Sequence, residues 1–410
     1  MKSDLDNLMD EKDIDCIVIF GRGISNPPMA YMAKGAQFQH TSYIVKKHNE
    51  EAILFHTAME RDSVLETGLT LRINHEAIPD YFEISKSEQD AALLQAKLLK
   101  SLLISMGIEG TVSFHGMAGI GQAYKMVSFL REKTSIKVFQ DSDDILQLAR
   151  QTKDSEEIDR IEQVANTTGK VLSEVRSFLG TLHEEEGYAM RPDGKKVSLG
   201  EVKDFIRFEL FKQGLVEDHP TIFSMGRDAG VPHNEGNPND LLQTGKPIIM
   251  DIFPCEPNGY FFDCTRTFCL GYIPPEVESL YLDVLEVQKG ILNDVAIGIP
   301  HGELIAKACT MFEQKDHPTP RIAPGAAHGF CHGLGHGIGL EIHENPSIGI
   351  AKLEDKKSIT RIGEVFTVEP GLYYPERGIG VRLEDVVAIT DDGVKNLSPF
   401  PKDLLIPLKG

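Results

Sequence analysis

His328-Gly-Phe-Cys-His332-Gly-Leu-Gly-His336-Gly-Ile-Gly-Leu-Glu-Ile-His343-Glu344 decides whether the second half of this chain is built on a helix or on strands. Imidazoles recur at i, i+4 and i+8, a spacing that would stack three of them on one helical face, as in helical zinc sites. Gly329, Gly333, Gly335, Gly337 and Gly339 oppose that arrangement, because each glycine disfavours a helix by about 1 kcal/mol. The stretch is therefore predicted to be extended or looped, with backbone running close to a ligand. A single histidine is more often a satisfied structural residue than a ligand. Four of them among glycines reverse those odds.

Outward from this stretch lie four acidic residues in strand-like surroundings. Asp251 follows Ile248-Ile249-Met250, and Asp263 follows Tyr260-Phe261-Phe262. Glu369 ends Val365-Phe366-Thr367-Val368 before Pro370-Gly371, and Glu384 is expected inside a strand running from Val381 to Val387. A carboxylate withdrawn from water without a partner costs several kcal/mol. Strand alternation could turn any one of them to solvent, but four such cases weaken that explanation. Arg266 and Arg382 are too few cations to pair with four anions, which leaves convergence on metal. Carboxylates with an imidazole and no thiolate suit Mn, Co, Fe or Zn better than Cu.

At 410 residues the chain is long for one core and is expected to form two domains, 1–150 and 151–410. The first alternates short strands with helical patterns: Ile14 to Phe20, a hairpin of Tyr43–Val45 with Ala52–Phe55, Thr111–Phe114 and Ile136–Phe139, with a helix through Tyr124 to Leu130. It carries no dense set of catalytic residue types. The second opens at Asp154 with Glu157, a capping box, followed by the apolar stripe Ile158, Ile161, Ala165, Leu172 and Val175, which runs out at Gly180. Ser198 with Glu201 marks another helix start, and further helices are expected around Val277–Asn293 and His301–Phe312. A formal net charge of -20 and the lack of a basic cluster argue against a nucleic-acid partner. No run reaches the roughly 18 apolar residues of a membrane helix. The opening Met-Lys-Ser-Asp-Leu-Asp has no apolar run behind it, and six scattered cysteines form no C-x-x-C pair. A cytoplasmic protein is expected.

The motifs I-M-D-I-F-P, F-F-D-C-T-R-T-F, H-G-L-G-H-G-I-G-L-E-I-H-E-N-P, F-T-V-E-P-G-L-Y and V-R-L-E-D, in that order between Asp251 and Asp385, resemble the pita-bread metallopeptidases. That group holds aminopeptidase P, prolidase and methionine aminopeptidase. The resemblance implies an N-terminal creatinase-like α/β domain and a C-terminal pita-bread domain, an α+β fold with a curved antiparallel sheet covered by helices. Methionine aminopeptidases generally lack the first domain, which points to the Xaa-Pro branch, aminopeptidase P or prolidase. Creatinase and histone-binding relatives have lost the metal ligands, whereas all five are present here. Carried over residue by residue, Asp251 binds one ion, His336 with Glu369 the other, and Asp263 and Glu384 bridge them. His233 and His343 resemble the substrate-contacting histidines, His332 a further active-site histidine, and Arg382 the arginine found behind the site in Xaa-Pro peptidases.

The implied function is hydrolysis of the peptide bond before proline, in a small peptide with proline second, by a hydroxide bridging two divalent ions. Mn is the expected ion, with Co, Zn or Fe as alternatives. Glu369 would move the proton, and the resemblance implies a homodimer. Two rivals remain: the same fold acting on a non-peptide substrate as a lyase or other hydrolase, and a non-catalytic binding protein. The chain departs from the family pattern twice. Asp251 and Asp263 stand 12 apart, one more than expected, with Pro254 and Pro257 between them. The segment His183–Val197, centred on a Pro192-Asp193-Gly194 turn, looks inserted; it is either a surface elaboration or a flap or dimer contact that limits peptide length.

Overall fold

A computed structural model describes residues 1–140 and 144–409. The chain divides into two compact units, Met1–Arg150 and Gln151–Gly410. In the first, the apolar run before Gly21 forms strand Cys16–Gly21, buried along its whole length. It lies inside a six-stranded sheet in the order Thr70–Ile73, Ile53–His56, Ser42–Lys47, Cys16–Gly21, Thr111–Gly116, Lys137–Val138. The expected hairpin forms with Tyr43 opposite Phe55. Parallel pairing of Cys16–Gly21 with Thr111–Gly116 requires a long crossover, part of which is helix Ala91–Ser105. Leu98, Leu99 and Leu102 of that helix pack in the core beside Met126 and Leu130 of helix Ile120–Lys133. His115 joins Ser113 Oγ at 2.8 Å to Asp144 at 3.3 Å. Asp144 also caps the first turn of helix Ile145–Gln151, and Ser113 is buried, so this line of groups is a tie within the unit.

The second unit opens with the expected capping box: Asp154 accepts from the Glu157 amide, Glu157 accepts from the Asp154 amide, and helix Ser155–Leu179 follows. Ser198 and Glu201 repeat the device ahead of helix Leu199–Lys212. Helices Pro275–Asp294 and His301–Glu313 bury Val284, Val287, Ile291, Leu304 and Phe312 in one cluster with Phe366, Val381 and Val387 of the strands. Burying a side chain of this size contributes about 1.5–3 kcal/mol. Strands Ile222–Met225, Pro247–Ile252 and Cys264–Leu270 pair antiparallel, with Leu405–Ile406 added in parallel. A second sheet runs in the order Glu344–Ile348, Gly335–Gly337, Val365–Val368, Asp385–Thr390, Gly393–Asn396. The histidine-rich stretch is thus looped on either side of the short strand Gly335–Gly337 rather than helical, as its glycines favour. At Gly335, however, the close approach is to Thr367 O, which a Cβ would meet at 1.9 Å. There the glycine serves strand packing rather than a ligand.

One expectation about strands needs correcting. Glu384 does not lie within a continuous strand: Ile379–Arg382 ends before it and Asp385–Thr390 begins after it. The antiparallel partner breaks at the same place, into Val365–Val368 and Gly371–Tyr374. Val368 pairs with Asp385 and Gly371 with Arg382, so one register is kept across the break and Glu369 falls opposite Glu384. Pro370, which has no N–H to give the ladder, accounts for the interruption.

The segment 183–197 forms a hairpin, His183–Glu185 with Tyr188–Met190, turning at Glu186 (φ 52°) and Gly187 (φ 81°). Two positive φ values in succession match the mirror-image turns that suit tight hairpins. The Pro192-Asp193-Gly194 turn forms a second bend, closed by Arg191 N donating to Lys195 O. Ala189 and Val197 are buried, and the Ala189 amide bonds Leu242 O.

Lys153 Nζ lies 2.6 Å from Glu344 Oε1, and the two side chains are 2% and 3% exposed. Removing one partner of a buried pair leaves an uncompensated charge, at a cost of about 3–5 kcal/mol. Lys153→Met is therefore expected to lower the unfolding free energy of the second unit by at least about 3 kcal/mol. Denaturant unfolding followed in that unit checks this; a loss of well under that size would show that water or another cation reaches Glu344.

Candidate metal centre

Asp251 is carried by strand Pro247–Ile252, and Asp263 immediately precedes Cys264–Leu270, the strand paired with it. His336 lies in the short strand Gly335–Gly337, with Glu369 and Glu384 at the matched strand breaks. All five line one cleft of about 550 Å³, together with His233, His332, His343 and Arg382. None of residues 183–197 lines this cleft.

Asp263, His336 and Glu384 present ligand atoms within 4.8 Å of one another. His336 Nε2 stands 3.7 Å from Asp263, 3.7 Å from Glu369 and 4.0 Å from Glu384. These gaps are too long for hydrogen bonds and match the space left by two metal–ligand bonds of about 2.1 Å each. The His336 Nδ1 faces Gly337 O at 3.1 Å, so Nδ1 carries the proton and the Nε2 lone pair faces the carboxylates. Asp251 Oδ1 and Asp263 Oδ1 are buried without a hydrogen-bond donor. Glu369 and Glu384, opposite each other across the ladder, are like charges in a position where such pairs destabilise.

Burial and mutual repulsion raise these acids together. Burial pushes Glu384 up to about 7, with the charge of Asp251 adding to it. Asp263 and Glu369 rise well above the usual carboxylate range, through burial first and then the Glu384 charge. Burial holds His336 down to about 4, so its imidazole is neutral near pH 7. Uncompensated carboxylates, orphaned buried oxygens and a neutral imidazole with its lone pair turned inward form a donor set that fits divalent cations.

A hydrogen-bond line braces this floor. Arg382 Nη2 donates to Asp251 Oδ2 at 2.6 Å, and its Nε donates to Thr265 Oγ1, which donates to Glu384 Oε2. Arg382 Nη1 reaches Tyr373 Oη at 2.8 Å and Pro232 O at 3.2 Å. His332 Nδ1 donates to Gly333 O, so its Nε2 accepts from Tyr373 O–H at 2.9 Å. Burial holds His332 down to about 3, in keeping with a neutral ring. Arg382 and His332 are thus committed to the protein, whereas His233 and His343 are exposed on the cleft. Residue-type reasoning missed Thr265 and Tyr373. Both stand inside quoted motifs, F-F-D-C-T-R-T-F and F-T-V-E-P-G-L-Y, and the motif was the available signal.

The 28% identical Xaa-Pro dipeptidase of Pyrococcus furiosus aligns over 409 residues, 99% of this chain and 100% of its own. The Bacillus subtilis protein YkvY is 33% identical over 279 residues, 68% of each chain. The prolidase structure of Pyrococcus horikoshii superposes with a TM-score of 0.72 at 24% identity, covering 98% of this chain and 99% of its own. An X-Pro aminopeptidase structure from Thermotoga maritima gives 0.73 at 21%, over 97% and 99%. The shared fold is the pita-bread one. Residues 159–391, which include all five candidate metal ligands, match metallopeptidase family M24, and the chain belongs to that family.

Proposed function

We propose that this chain is an Xaa-Pro dipeptidase that works with a pair of divalent ions, manganese first among them. The observation that carries the proposal is the cluster of Asp263, Glu369 and Glu384 around His336, with Asp251 in the same open cleft and Arg382 the one permanent cation among the described residues that line it. Full-length similarity to a protein named Xaa-Pro dipeptidase supports the substrate. Asp251 would hold one ion, His336 and Glu369 the other, and Asp263 and Glu384 both. Bound there, such ions polarise a carbonyl and acidify water to near neutrality.

The chain's own residues divide the remaining tasks. Glu369 has the most exposed side chain of the four acids, 19% against 11% or less. It is therefore the one suited to taking the proton of the attacking water and returning it to the proline nitrogen. The C–N bond breaks as that nitrogen gains the proton, so one water is divided between two products. His343 and His233 offer N–H groups to the oxygen that gains negative charge. Arg382, through Asp251 and Thr265, keeps two carboxylates in place rather than moving a proton. A homodimer in the cytosol completes the proposal, and six free cysteines suit a reducing compartment.

Hydrolysis of a panel of Xaa-Pro dipeptides, longer Xaa-Pro peptides and non-proline dipeptides tests it, on protein stripped with chelator and reloaded with Mn. Release of free proline is expected only after reloading, with metal content approaching about two per chain. Full activity without metal, or reloaded protein that releases no proline, overturns the proposal.

A further inference from the structure

We propose that Lys153 is a positioning residue for the reaction: through its buried pair with Glu344 it holds the turn that presents His343 to the cleft. This rests on the dipeptidase reading above, in which His343 offers an N–H to the oxygen gaining charge. It extends that reading to a lysine that does not line the cleft and stands outside every motif. A buried ion pair is a poor stabiliser, since taking both charges out of water costs about as much as their attraction returns. What it does supply is a fixed geometry, because its ends cannot part without leaving a charge unpaired.

Both ends of this pair are anchored. The Lys153 amide donates to Gly363 O at 2.7 Å, and Thr152 bridges to Glu364, just ahead of the strand Val365–Val368 that leads to Glu369. On the other side Asp154 caps helix Ser155–Leu179. Lys153 Nζ therefore starts from a fixed point and reaches Glu344 Oε1 at 2.6 Å. Glu344 opens strand Glu344–Ile348, directly after His343, and faces Gly337 across the ladder. Its carboxylate lies against the Gly339 backbone, where a Cβ would meet Oε1 at 2.1 Å. Gly339 O in turn accepts from the Phe261 amide at 2.7 Å, two residues before Asp263. One carboxylate thus holds both legs of the turn 339–344.

The two histidines flanking this turn are held differently. His336 N donates to Thr367 Oγ1 and Ile338 N to Val365 O, so the strand Val365–Val368 keeps His336 in place. The His343 ring lies 4.3 Å from that of His336, and the anchor next to His343 in the chain is Glu344. Loss of the pair should therefore displace His343 and spare the metal ligand. A shift of about 1 Å in a group that acts in the transition state costs about 10²-fold.

Lys153→Met, Lys153→Arg, Glu344→Asp and the double variant Lys153→Met/Glu344→Met are compared with wild type on Ala-Pro, Mn-loaded, with and without His343→Ala. The double variant removes both charges and leaves none unpaired, so it is expected to fold and to keep the metal content of wild type. Its kcat should fall by about 10²-fold with KM within about threefold. In the His343→Ala background the same two substitutions should cost less than about threefold, because the group being positioned is already gone. Glu344→Asp keeps both charges but shortens one arm, and should lose about tenfold in kcat with the same dependence on His343. Lys153→Arg should recover part of the kcat that Lys153→Met loses. Equal losses with and without His343 overturn the assignment, as does an undiminished kcat in the folded double variant or the loss of a metal ion from it. Should the double variant not fold, an undiminished kcat in Glu344→Asp overturns it instead. All of these leave the dipeptidase reading standing. A wild type that cleaves no Xaa-Pro peptide overturns both, and is distinguishable on that ground.

Discussion

Glu384→Ala is expected to bring metal content down from about two per chain to below one and to reduce activity by about 10³-fold or more. The side chain is 2% exposed, accepts from Thr265 Oγ1 and turns its other oxygen toward His336. It also sits opposite Glu369 in the ladder and close to Asp263, so it is the acid that touches most of the cluster. The same substitution has a second, opposite signature in metal-free protein. Because the folded-state value of Glu384 is raised from 4.5 to about 7, the folded chain holds more protons than the unfolded one between those values. Its contribution to stability is fully present below about 4.5 and is lost as pH rises toward about 7. Metal-free wild type should therefore weaken over that window, and Mn should restore it by binding the folded state alone. Glu384→Ala should lose part of the pH slope and most of the Mn effect. Thermal unfolding at pH 5 and pH 7.5, with and without Mn, reads both. A variant that still binds about two ions would sink the bridging assignment.

The four acids stood out in the sequence because such side chains are costly in apolar strands, and that cost is a local property; the histidines stood out by their number among glycines. Asp251 after Ile248-Ile249-Met250 announces itself whatever the fold. The capping boxes at Asp154 and Ser198 were legible for a similar reason, since they satisfy amides within three residues. The break at Glu369 and Glu384 was not. Apolar residues on both sides of Glu384 read as one strand, and only the partner containing Pro370 shows that two sheets meet there. Thr265 and Tyr373 carry no local cost in the sequence. Thr265 matters because Arg382 and Glu384 approach it from more than a hundred residues away. Long-range approach has no period to read.

His343→Ala is expected to leave metal content near that of wild type and to lower kcat by about 10²-fold, with a smaller change in KM. The ring touches His336 edge to face at 4.3 Å, but it is the His336 Nε2 that faces the clustered acids. His343 is exposed on the cleft, while partial burial and the neighbouring His233 keep its pKa below the ordinary histidine value. A neutral imidazole at pH 7 can give one N–H to an oxygen gaining charge, and losing such a donor typically costs about 2.7–4 kcal/mol in the transition state. The backbone beside it is anchored by the buried Lys153–Glu344 pair, so the ring enters the cleft from a fixed strand end. A substitution there should therefore remove the donor without moving the floor. Metal analysis and steady-state kinetics on the same preparation separate the outcomes. Loss of an ion would make His343 a ligand, and unchanged turnover would leave the developing charge to His233 alone.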